Sequence, residues 1–118
     1  AYIQPDVSHA GGITELKKIA NLAETYYIHV LPHCAIGPVA FSACMHVDAV
    51  IPNFLAQEQV DWALGDGILQ ESWEVVDGHI TLPDKPGLGF AIDESEVSKR
   101  VKYQPKVLGS EKLVRESI

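Results

Sequence analysis

The chain has 118 residues, 47% of them hydrophobic, enough for one packed domain. A formal net charge of −7, from nine Lys and Arg against sixteen Asp and Glu, argues against the basic face that a nucleic-acid partner requires. No run approaches the ~18 apolar residues of a membrane-spanning helix. The first five residues lack signal-peptide regions, and the two cysteines, without framework spacing, read as reduced thiols of a cytoplasmic protein.

In chain order, Tyr2–Gln4 is a short apolar strand stopped by Pro5, which has no amide hydrogen for a ladder. Asp6–Gly12 reads as a loop ending in two glycines. Ile13–Tyr27 has apolar residues at 13, 16, 19, 20, 23 and 27, the stripe of an amphipathic helix, with Lys17, Lys18, Asn21 and Glu24 opposite. Ile28–Leu31 is the second strand, closed by Pro32, and Pro38 suits the first turn of a helix over Val39–Val47. Val50–Ile51 and Phe54–Leu55, interrupted by Pro52, form a third strand or strand end. Strand, helix, strand, helix, strand is the α/β pattern.

Beyond residue 60 the register changes. Trp73–Val76 and His79–Leu82 flank Asp77-Gly78, a hairpin signal. Residues 83–89 are punctuated by proline and glycine. Asp93 or Ser95 caps a charged helix to about Tyr103, and the tail beyond it reads as weakly ordered. Lys17–Lys18 and Lys99-Arg100-Val101-Lys102 read as solvated helix faces. Three parallel strands leave two open edges, so the pattern reads as the end of a larger barrel.

Three chemically able side chains follow the three strands: Asp6, His33 and Glu58. Twenty-seven positions separate the first pair and 25 the second, one strand–helix repeat each. Parallel strands open their C-terminal ends on one face, where such folds place their chemistry. A carboxylate, an imidazole and a second carboxylate therefore converge there. Ser8 and His9 fall in the first of these loops, whereas His29 and His79 read as structural or exposed, and Trp62 and Trp73 as packing or cap-contact residues. Cys34, Cys44 and His46 are zinc-ligand types without a Cys-x₂-Cys knuckle, and Cys34 adjoins His33 too closely in sequence to pair with it as a nucleophile. Gly87-x-Gly89 lacks the rest of a dinucleotide fingerprint.

The segments Ile3-Gln4-Pro5-Asp6-Val7-Ser8-His9-Ala10-Gly11-Gly12, Pro32-His33-Cys34 with Gly37-Pro38, Pro52-Asn53-Phe54 with Gln57-Glu58-Gln59, and Pro86-Gly87-Leu88-Gly89 resemble the enolase superfamily. Within it they resemble the mandelate racemase subgroup, nearest the galactonate dehydratases, over residues 2–94. The resemblance implies an α/β fold that is the C-terminal part, strands six to eight and the return segment, of a (β/α)₇β TIM-like barrel. Residues 1–60 would supply the last three repeats, 61–94 a hairpin and return segment against a capping domain, and 95–118 a charged helix and tail.

It further implies a cytoplasmic sugar-acid dehydratase using Mg²⁺, with His33 as base, Asp6 orienting it, and Glu58 facing the substrate's acid end with a raised pKa. The metal ligands would lie upstream of residue 1. The implied partners are a small sugar acid, the missing capping domain and barrel half, and further copies in a homo-oligomer. No nucleic acid or membrane partner is implied. The alternative is an inactive α/β binding or interaction domain derived from such an enzyme.

Overall fold

A computed structural model describes residues 1–100. Strand β1 (Tyr2–Ile3) pairs in parallel with β2 (His29–Val30), joined by helices α1 (Val7–Ala10) and α2 (Ile13–Glu24). Helix α3 (Pro38–Asp48) follows β2, then a 3₁₀ turn over Asp61–Leu64, and α4 (Glu94–Arg100) closes the described chain. No described helix is long and apolar enough to cross a membrane.

The strands are shorter than the sequence predicts because prolines stop the ladder. The bonds His29 N to Ala1 O, Leu31 N to Ile3 O and His33 N to Pro5 O carry one register through to an isolated Asp6–His33 bridge. The third strand shrinks to a single parallel bridge, Val30–Phe54, because the next acceptor on β2, Ile28 O, takes the Asn53 side-chain amide instead of a backbone N–H. Its bonds run from Val30 N to Asn53 O and from Leu55 N to Val30 O. Val30 is thus paired on both sides and fully buried.

Asp6–Gly12 is not a plain loop. Asp6 accepts from the amides of Ser8 and His9 and caps the one-turn helix α1. Helix α2 buries Leu16, Ala20 and Ala23, three positions of the predicted stripe. It stops three residues before the expected Tyr27. Ile28 N reaches Ala23 O and Tyr27 N reaches Glu24 O, a Schellman-type closure with Tyr27 at φ 57° in the left-handed position.

Helix α3 starts on Pro38 and runs one residue past the predicted Val47. It buries Pro38, Ala40, Phe41, Ser42, Cys44, Met45 and Val47, so it lies inside the core between α2 and the 3₁₀ turn. Ser42 Oγ donates to Leu88 O, tying the return segment to this helix.

The Asp77-Gly78 hairpin forms, but as one bridge: Val76 and His79 exchange both backbone bonds around two positive-φ residues. Asp93, not Ser95, caps α4, accepting from Ser95 N and Glu96 N. The predicted continuation to Tyr103 and the tail lie outside the described residues.

Asn53 staples two elements, its Nδ2 donating to Ala20 O at 3.0 Å and Ile28 O at 2.9 Å. Asn53→Ala is expected to lower the unfolding free energy by about 1–3 kcal/mol, since both carbonyls lose a donor. Urea melts of the two proteins check this.

Candidate active site

The parallel register brings Asp6 and His33 side by side. Asp6 Oδ2 lies 2.8 Å from His33 Nδ1. The other Asp6 oxygen, Oδ1, accepts from Ser8 N at 2.7 Å and His9 N at 3.0 Å. Helix α1 therefore fixes the carboxylate that orients the imidazole. Glu58 Oε2 lies 3.7 Å from His33 Nε2 and accepts from Cys34 N at 2.9 Å. All three residues singled out in the sequence thus stand in one line, with the imidazole between two carboxylates.

Exposure differs along that line. The Asp6 side chain is 8% exposed, those of His33 and Glu58 41% and 38%. Burial opposes ionisation of Asp6, but the bonds from His33, His9 N and Ser8 N outweigh it and hold the carboxyl below its ordinary range. His33 moves the other way. Its bond to Asp6 raises the imidazole above 6.5 against a smaller opposing desolvation, with the charge of Glu58 adding to the rise.

With Nδ1–H committed to Asp6, Nε2 holds the lone pair on the open side. A neutral imidazole so held can take a proton, and the buried carboxylate stabilises the imidazolium that results. The His33 imidazole is expected to titrate with a midpoint above 6.5, and Asp6→Asn should move that midpoint down, because the bond to Asp6 is the main cause of the rise. NMR titration of the His33 ring in both proteins checks this.

The remaining candidates separate. His9 reaches Asp6 Oδ1 at 3.5 Å from an exposed position, and Ser8 contributes its amide. Cys34 and Cys44 are buried free thiols, and the neighbouring Cys34 and burial together push the Cys44 thiol far up. Trp62 donates from Nε1 to Ala35 O at 3.2 Å, bracing the loop after His33, and Trp73 packs against the core. His79 Nδ1 lies 2.8 Å from Asp77 O in its turn.

Two features escaped the sequence reading. Burial raises Asp48, at the end of α3, to about 7. Gln57 crosses between strand ends, its Nε2 donating to Pro32 O at 3.0 Å and Glu58 O at 2.6 Å. Apolar periodicity cannot signal a side chain that replaces a ladder bond.

The Mg²⁺ implied by the resemblance does not fit the described residues. Among them no group of three or more His, Cys, Asp and Glu side chains is arranged to hold a metal ion. Both Asp6 oxygens are already engaged, and hard cations take about six oxygen ligands.

The family described as enolase C-terminal domain-like matches residues 1–96. The D-galactonate dehydratase of Pectobacterium atrosepticum is 44% identical, over 89% of this chain and 30% of that enzyme. That of Xanthomonas euvesicatoria pv. vesicatoria is 46% identical, over 87% and 29%. The chain therefore spans about 30% of the length of these curated relatives. A mandelate racemase/muconate lactonizing enzyme from a Sulfitobacter species superposes with a TM-score of 0.80 at 37% identity, over 89% of this chain and 26% of that one. One from Jannaschia sp. CCS1 gives 0.80 at 31% identity, over 87% and 27%.

Proposed function

Because the chain belongs to the enolase C-terminal domain-like family, with the fold of the C-terminal barrel part of mandelate racemase/muconate lactonizing enzymes, we propose that it is the catalytic-base portion of a sugar-acid dehydratase of galactonate dehydratase type. One observation carries this reading: His33 lies 2.8 Å from a buried carboxylate on Nδ1 and faces a second on Nε2. A base so held suits removal of a weakly acidic proton next to a carboxylate.

In the proposed reaction His33 Nε2 takes the proton from the carbon bearing the acid group, breaking C–H and placing its electron pair in an enediolate. Asp6 holds the imidazolium. The electron pair then forms the new C=C bond and expels the hydroxyl of the next carbon, which takes the proton held on His33 Nε2 and leaves as water, and the enol tautomerises to the 2-keto-3-deoxy acid. Glu58, anchored by Cys34 N, meets the substrate's acid end. Enediolate charge needs further electrostatic stabilisation, and in this family that is the chemistry of a Mg²⁺ whose ligands would lie outside these residues. No step above depends on assigning them.

Residues 1–60 then act as the last three β/α repeats and 61–94 as the return segment against a capping domain, in a cytoplasmic homo-oligomer. Incubating the complete enzyme with a panel of aldonates, galactonate included, tests the reading through formation of 2-keto-3-deoxy acids. Inversion at the α-carbon without water loss on every substrate would instead make it a racemase.

A further inference from the structure

The ladder between β2 and the third segment changes register just before Glu58. Val30 pairs with Phe54, 24 positions on. Continued regularly, that register has the Gln57 amide donating to Pro32 O and sets Gln57, not Glu58, beside His33. The observed backbone donor to Pro32 O is Glu58 N, one residue later and long at 3.4 Å. The register thus slips by one residue between Phe54 and Glu58. A one-residue slip turns every following side chain to the other face, so it aims Glu58 at the face shared by Asp6 and His33.

Pro32 contributes no donor of its own to hold this slip. The Gln57 side chain instead takes the acceptor, Pro32 O, at which the regular register aims the Gln57 backbone amide. Its side-chain Nε2 occupies Pro32 O at 3.0 Å and, with the same nitrogen, Glu58 O at 2.6 Å. Bulges of this kind often lie beside active sites, where they re-aim a side chain. We propose that Gln57 is a positioning residue, whose side-chain amide locks the one-residue slip that turns the Glu58 carboxylate onto His33. The proposal rests on the roles given above to His33 and Glu58, and deepens them.

The test uses the complete enzyme with Gln57→Met, which keeps the length and removes the donor. Asp6 and Glu58 face the imidazole, and the charge of nearby Cys34 also acts on it. If Gln57 holds Glu58 there, Gln57→Met shifts the NMR titration midpoint of His33 downward, as Glu58→Gln does, and the double variant shifts it no further. Activity falls about 10²-fold in kcat, the usual cost of misplacing a reacting group by ~1 Å. Asn53→Ala is the control, weakening the fold while leaving the His33 titration in place.

A Gln57→Met protein with lower thermal stability but unchanged His33 titration and kcat overturns the proposal, leaving only a strut. Should that variant not accumulate, Gln57→Asn, one methylene short of Pro32 O, is read by the same criteria. A wild-type enzyme inert on every aldonate, with the His33 titration still responding to Gln57, removes the substrate assignment and keeps the positioning role.

Discussion

Replacing His33 with asparagine in the complete enzyme should lower kcat by about 10²–10⁴-fold, equivalent to ~3–5 kcal/mol of barrier. Asparagine keeps a donor for Asp6 Oδ2 but has no basic nitrogen, so in the proposed reaction substrate binding persists while proton removal fails. KM should accordingly change little, which marks an interaction made mainly in the transition state. The α-deuterated substrate gives a second readout, because exchange with solvent requires the same base. Full activity in His33→Asn, or exchange that continues unchanged, would sink the mechanism.

The 118-residue chain by itself should be poorly stable or self-associating, should not bind Mg²⁺ at micromolar levels, and should not turn over substrate. Backbone pairing on both sides is achieved at Val30, whereas Phe54–Leu55 is an outer edge with Leu55 53% exposed. Such edges recruit other strands. Engaged oxygens on Asp6 leave no ready cage for a hard cation. Sizing chromatography and calorimetric titration check the two halves. A soluble monomer with micromolar Mg²⁺ affinity would contradict both.

Much of this arrangement was readable beforehand because it depends on order along the chain. The 27 positions from Asp6 to His33 are the parallel register itself, expressed in the pairings Tyr2–His29 and Ile3–Val30. Leu16, Ala20 and Ala23 announced the buried face of α2, and Asp77-Gly78 announced its turn.

What stayed hidden depends on side chains acting as backbone. Asp6 turns a glycine-ended loop into a helix by capping it. Tyr27 ends α2 by entering a conformation that glycine usually takes, where the apolar stripe still counted it as helical. The 25 positions from His33 to Glu58 conceal the slipped register, since spacing alone cannot distinguish a long connection from a bulge.

The closure of α2 also separates two engineering problems. Tyr26 and Tyr27 are 70% and 91% exposed and precede β2, so a strand's length, roughly 16–20 Å, lies between them and the imidazole at its far end. Inserted peptides or affinity tags at this turn stand at the opposite end of β2 from the Asp6–His33 pairing. Foldability can be tuned at one pole of the sheet while specificity is selected at the other. Diversification of the loops at the His33 end can therefore proceed without touching the Thr25–Tyr27 turn.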